Sequence, residues 1–392
     1  MLSITGKNKI LGGGLPNSDG NSPKVRESNL ELYRIITMLL IVAHHYVVNS
    51  GLTLADGPVY SDPLSGRSSF LLLFGAFGKT GINCFVLITG YFMCKSQITV
   101  KKFLKLLGEV MFYKIILYSI FWITGYAPFT LKAAVKMILP FTSIAQNFTA
   151  CYLVFFLCIP FLNILIHNLN ERQHVKLLMV TLFTYVFMGT VPFFSVTMNY
   201  VSWYMVLYFI ASYIRMYPKM IFEKVKFWGW MSIVCVLVSM ISVIACTWLG
   251  TIIDRNISFY FVTDSNTFLA VITGVCSFLF FKNLKIKNSK IINTISATTF
   301  GVLLIHANSD IMRQWLWKDV LNNVGMYESN WMPVHAICSV LIIFAICSVI
   351  DLCRIRFVEK PFLKWWDKHW NGIDAKYRKV ETLICEKLNI QL

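Results

Sequence analysis

Arg34 and His45 stand eleven residues apart in an apolar stretch that reads Glu31-Leu-Tyr-Arg34-Ile-Ile-Thr-Met-Leu-Leu-Ile-Val-Ala-His44-His45. Eleven steps of about 100° return a helix to within about 20° of the same face, and the rise separates the two residues by roughly 16 Å. Glu31 falls about 60° from Arg34 on that wheel, near enough to help hold the guanidinium, whereas His44 points about 100° away from His45. One face thus carries a permanent cation at one end and an ionisable imidazole at the other. The chemistry that fits is acyl transfer. The planar fork of an arginine binds phosphate, so Arg34 can take the phosphates of an acyl-coenzyme A while a thin pantetheine arm runs along the helix. His45 can then remove the proton from an attacking sugar hydroxyl or carry the acyl group covalently. The residues leave both routes open. Blander roles are a snorkelling arginine and a histidine bonded to a carbonyl, and the shared face weighs against them.

A second group lies at Thr299-Phe-Gly-Val-Leu-Leu-Ile-His306-Ala-Asn308-Ser309-Asp310-Ile-Met-Arg313. On a continuous helix His306 and Asp310, four apart, are neighbours, and Asp310 is expected to orient the imidazole as carboxylates do for catalytic histidines. Lys101, Lys102 and Lys105 form a basic cluster that sets topology or attracts the donor's phosphates. Glu109 and Lys114 are five apart, poor spacing for a pair, so their partners are expected on other helices. Asn83, within the glycine-rich stretch Gly78-Lys79-Thr80-Gly81-Ile82-Asn83, is a further binding candidate. Those glycines suit close helix approach.

The elements that position these groups follow from composition. Of 392 residues, 56% are hydrophobic and only 14% charged, too little polar coat for a soluble domain. Apolar runs near 30–48, 70–93, 106–124, 148–166, 177–194, 196–214, 227–249, 265–281, 291–309 and 332–350 are each long enough to cross a bilayer. No strand-like alternation recurs, so the spans are helices. The expected fold is all-α: a polytopic transmembrane bundle of about ten helices. With both termini cytoplasmic, the inner segments hold 27 of the 36 Lys and Arg, and the outer side holds seven, Arg313 among them, when Lys79 in the outer half of the run 70–93 is counted with it. This asymmetry is the positive-inside signature. The formal charge of +17 therefore reads as topology and contact with anionic membrane lipids, not as nucleic-acid binding. The eleven cysteines read as small buried hydrophobes, and neither metal-ligand spacing nor a glycine-rich phosphate loop occurs. No metal is expected.

Several segments, taken in order, resemble the integral-membrane acyltransferase family 3 of bacterial cell-surface O-acetyltransferases. Asn29-Leu-Glu-Leu-Tyr-Arg34 through His44-His45-Tyr46 is similar to the first-helix motif, in which ten residues separate an Arg from a His. Gly81 through Phe92 is similar to the glycine-rich second helix, with Thr89 where the family has Ser. Lys101-Lys102-Phe-Leu-Lys105 sits in place of an arginine-rich element, which keeps charge but loses bidentate phosphate geometry. Cys158-Ile-Pro160-Phe-Leu-Asn163, Ser202-Trp203-Tyr204, Thr299 through His306, and Val358-Glu359-Lys360-Pro361-Phe362 complete the resemblance. It implies ten core helices, cytoplasmic acetyl-CoA as donor, a hydroxyl of a cell-surface or lipid-linked glycan as acceptor, and Arg34 with His45 as the essential pair. It also implies a multi-pass protein of the bacterial cytoplasmic membrane that works alone or with partner proteins of a polysaccharide pathway. The expected domains are a flexible cytoplasmic tail over 1–28, the transmembrane acyltransferase domain over 29–362 and a basic interfacial tail over 363–392. The rival reading is a transporter or flippase with a path lined by Arg34, His45 and His306; the sequence shows no inverted repeat to support it.

Overall fold

Each of the ten apolar stretches is occupied by helix, and no strand occurs among the described residues. The computed structural model describes residues 27–370 except 142, 143, 145, 146, 195 and 197. Most of the expected N-terminal tail and residues 371–392 lie outside them. In chain order the main helices are α1 (Ser28–Val48), α2 (Gly66–Gly75), α3 (Gly78–Met93), α4 (Val100–Ile123), α5 (Leu131–Ile138), α6 (Phe148–Asn168) and α7 (Glu171–Leu182). They continue as α8 (Tyr200–Met216), α9 (Val225–Ile253), α10 (Phe268–Asn283), α11 (Lys290–Ser296), α12 (Thr299–His306), α13 (Asp310–Val320) and α14 (Met332–Arg354). Six helices are long and apolar enough to cross a membrane, α12 and α13 belong to a pair bent by 92°, and α10 is a shorter apolar helix. The expected ten crossings also require 171–190, α8 and α10 to span. This is a membrane-embedded helical bundle.

At its centre is α3, buried along nearly its whole length and packed against α1, α8 and α10. Glycines make that possible. Gly81 stands so near α1 that a Cβ there would come within 2.8 Å of Ile41 and 3.2 Å of the Thr37 carbonyl. Without a hydrophobic drive between helices in lipid, such close packing is what holds them together. Outer helices show the reverse pattern: α9 turns Ile233, Leu237, Ile241 and Trp248 outward. Polar ties fasten α1 to α10, where the Tyr33 hydroxyl meets Ser277 Oγ at 2.7 Å. Asn29 Nδ2 donates to the carbonyls of Phe281 and Lys282 at the end of α10, supplying partners that a helix end lacks.

Helix boundaries follow capping chemistry. Thr99, Thr130 and Asn147 each accept a backbone N–H in the first turn of the next helix, and Asn170 with Gln173 forms a capping box. The short helix after Thr130 is α5, and Lys114 donates to the carbonyls of Lys136 and Leu139 at its end. A cation there complements the helix dipole. The last span does not stop at 350. Helix runs from Met332 to Trp370, across the expected domain boundary at 362, so the segment with Trp365, Trp366 and Trp370 continues that helix. Pro361 has no N–H to give, and a widened turn over Ile355–Glu359 precedes it.

That extension completes a buried ionic network. Arg354, whose side chain is 5% exposed, contacts Glu109 at 3.0 Å, Asp351 at 2.6 Å and Glu359 at 2.9 Å. Glu109 thereby finds the partner on another helix that its spacing required. Tyr113 donates to Asp351 at 2.6 Å, and Lys105 reaches Glu359 at 2.7 Å. Gly301 of α12 leaves room for the Asp351 carboxylate, which a Cβ would strike. Removing one partner of a buried pair strands the other charge, at a cost of about 3–5 kcal/mol. Arg354→Ala should therefore lower the thermal unfolding midpoint in detergent markedly. Lys105→Met, at a half-exposed position, should cost less than about 1 kcal/mol. Equal midpoints for wild type and Arg354→Ala would show that the network does not hold α4 to α14.

Candidate active site

The last turn of α1 brings His44 and His45 against two different helices. His44 Nδ1 lies 2.6 Å from the Gly75 carbonyl, so it carries a proton and donates it. Gly78 faces the His44 ring, and any side chain there would run into it. His45 turns the other way. Its Nδ1 is 2.9 Å from His306 Nε2, and His306 Nδ1 is 2.6 Å from the Val302 carbonyl. A carbonyl only accepts, so neutral His306 holds its proton on Nδ1 and presents a lone pair at Nε2. His45 must then donate from Nδ1, which leaves its own lone pair on Nε2. His45 Nε2 makes no hydrogen bond with the described residues, although the ring lines a cavity. Two ordinary hydrogen bonds thus fix the tautomer of an imidazole whose free nitrogen can accept a proton.

His306 is fully buried, edge-on to the buried Trp317 at 6.3 Å between ring centroids. Its position depends on the chain breaking immediately after it. Asn308 Nδ2 donates back to the Leu304 carbonyl at 3.0 Å, and Ser309 Oγ caps α13 by accepting the Met312 N–H at 3.2 Å. The cap and the return bond stop one helix and start another, and α13 folds across the end of α12.

The cavity beside His45 has a volume of about 210 Å³ and is also lined by His44, Asn49, Lys79, Tyr200 and Arg313. Lys79 Nζ donates to the Tyr200 hydroxyl at 2.9 Å. A smaller hollow of about 50 Å³ shares Asn147, Thr149 and Ala307 with it. Arg34 lies toward the other end of α1, paired with Glu31 at 3.5 Å. Ser296 Oγ donates to that carboxylate at 2.5 Å. Since α1 is unbroken from Ser28 to Val48, the guanidinium and the imidazole keep the separation and shared face that helix geometry gives them.

A family model described as an acyltransferase domain matches residues 27–352. The chain belongs to the membrane acyltransferase family 3. No curated protein and no solved structure matches it. The matched segment of this acyltransferase opens one residue before α1 and contains His44, His45, His306 and the cavity.

Other candidate residues in the acyltransferase are placed differently from their sequence expectation. Asp310 does not touch His306, because the helix ends between them; its exposed carboxylate pairs with Arg313 at 3.0 Å, and the Val302 carbonyl occupies the orienting position instead. Asn83 is fully buried and away from the cavity. Its Nδ2 donates to the carbonyls of Ser265 and Ala270 at 2.6 and 3.2 Å, and its Oδ1 accepts from Trp203 Nε1 at 3.0 Å. It ties α3 to α8 and α10. The basic cluster is engaged within the chain: Lys101 with Asp367, Lys102 with Ser96 Oγ and the Gln97 carbonyl, Lys105 with Glu359. Sequence reading missed Lys79, Tyr200 and Arg313 as site residues. The available signal was a lysine in an apolar, glycine-rich span, an expensive placement that calls for a role.

Asn83→Leu should strand the Trp203 N–H and the Ser265 carbonyl, each worth about 1–3 kcal/mol when buried and unpaired. We expect a lower unfolding midpoint in detergent with normal turnover per folded molecule below it. A selective loss of turnover at unchanged midpoint would return Asn83 to the site.

Proposed function

We propose that the protein is an O-acyltransferase of the bacterial cytoplasmic membrane that moves an acetyl group from cytoplasmic acetyl-CoA to a hydroxyl of a cell-surface or lipid-linked glycan. The observation that carries the reading is the relay from the Val302 carbonyl through His306 to His45, which leaves Nε2 of His45 unprotonated beside a cavity. Family membership supports acyl transfer in general, and the rest follows from the chemistry of the residues.

In this reading the donor's phosphates sit near Arg34, whose single described partner, Glu31, leaves guanidinium donors for phosphate. The thioester lies toward His45. A glycan hydroxyl in the cavity attacks the thioester carbon as its proton passes to His45 Nε2. The new C–O bond forms, the C–S bond breaks, and the proton on Nε2 moves to the departing thiolate to give free coenzyme A. His306 is a positioning residue: it accepts from His45 Nδ1 and holds the ring with its basic nitrogen toward substrate, the role a carboxylate plays in other triads.

His45→Ala should lower transfer by about 10²–10⁴-fold, the usual contribution of a general base, with membrane level and unfolding midpoint near normal. Full activity in that variant, with His44 intact, would remove His45 from the mechanism. For His306, Ala and Gln separate positioning from packing. His306→Gln keeps an acceptor near the former Nε2 and should retain much more activity than His306→Ala, whereas equal activities would refute the relay.

Donor binding is tested apart from chemistry by Arg34→Lys, which keeps the charge and loses the fork of donors. Affinity for acetyl-CoA in nanodiscs should fall about ten- to hundredfold, as expected for a lost charge-assisted bond of roughly 1.5–3 kcal/mol. Equal affinity for wild type, Arg34→Lys and Arg34→Ala would leave Arg34 a membrane anchor only.

A further inference from the structure

The cavity beside His45 has an excess of hydrogen-bond donors and of positive charge. Lys79 Nζ donates once, to Tyr200, though an ammonium has three protons to place. Arg313 turns one terminal nitrogen to Asp310, whose side chain is 97% exposed and points out to solvent, while Arg313 Nε is buried with no hydrogen-bond partner. Asn49 Nδ2 is likewise buried without a partner. The adjoining hollow holds one unpartnered acceptor, Asn308 Oδ1. No carboxylate lines the cavity among the described residues.

Topology does not account for these cations. Arg313 lies in a segment read as external, the side on which the positive-inside rule disfavours it, and Lys79 lies within the apolar run 70–93, where a charge is expensive. Both line the same cavity. A neutral sugar hydroxyl gives and takes hydrogen bonds alike, so it does not balance such a lining. A carboxylate or phosphate accepts only, carries the opposite charge and makes the stronger, charge-assisted bonds.

We infer that the acceptor glycan carries an anionic group, carboxylate or phosphate, held by Lys79 and Arg313 while a neighbouring hydroxyl meets His45 Nε2. The hydroxyl's fate rests on the acyl-transfer reading; recognition of the anion does not. The test is direct binding to the full chain in nanodiscs, without donor, of three oligosaccharides. One contains glucuronic acid, the second is the same compound with each carboxyl reduced to an alcohol, and the third has its sugars joined by phosphodiesters. At least one charged oligosaccharide should bind tenfold or more tightly than the reduced one, and the arm that does so identifies the anion. Lys79→Gln and Arg313→Gln should bring that affinity down to the neutral level, and Lys79→Arg should restore it. Equal binding of charged and neutral compounds by the wild type overturns the inference, whether or not the variants fold. So does a Lys79→Gln or Arg313→Gln protein that folds and keeps the full charge preference. Transfer from acetyl-CoA is measured on the same samples. Charge-selective binding with no transfer to any compound supports the anion site and counts against the acyl-transfer reading. If both Gln variants lower kcat equally for charged and reduced acceptors, with each KM unchanged, the two cations serve the reaction and not the acceptor, and the inference falls.

Discussion

Inside hydrocarbon a polar group has no water to fall back on, and that constraint shapes this molecule more than any single contact. Backbone groups meet it by forming helices. Side chains meet it by reaching across helices: Asn29 to the end of α10, Asn83 to Ser265, Ala270 and Trp203, Arg354 to three carboxylates. The same need for partners couples the two histidines. His306 uses its proton on a carbonyl of its own helix, so it has only a lone pair to offer, and the state of His45 follows.

Much of the fold was legible because apolar run length is a strong signal. The first span, with Arg34 and His45 on one face, needed only helix geometry, and α1 is unbroken through both. What escaped was decided by short polar segments. From 291 to 309 the chain reads as one apolar run, yet Asn308 and Ser309 satisfy backbone groups locally and turn the chain through 92°. Reading through that turn paired Asp310 with His306. The basic run 101–105 could not reveal its partners either. Glu359 and Asp367 are more than 250 residues away, on the helix that runs from Met332 past Pro361 to Trp370.

The two ends of the bundle solve their electrostatics differently. Around Arg354 each charged group has a partner within the protein: Glu109, Asp351 and Glu359 all meet Arg354, and Glu359 also meets Lys105. A matched cluster of this kind is a fastening, and its dense contacts tie α4 and α12 to the final helix. Around His45, Lys79 meets no carboxylate among the described residues, Arg313 meets one only on its solvent side, and both line open volume. In a membrane protein, where an uncompensated charge is costly, that contrast separates the part that holds the structure from the part that awaits something else.

The Val302 carbonyl has one more consequence. It closes the histidine chain at its far end, since a backbone carbonyl in a helix has no proton to pass on and His306 is sealed from solvent. No proton wire leads inward from His45. Whatever proton its outer nitrogen takes up leaves by that same nitrogen, to a molecule bound beside it, so the histidine pair itself carries no proton deeper into the bundle.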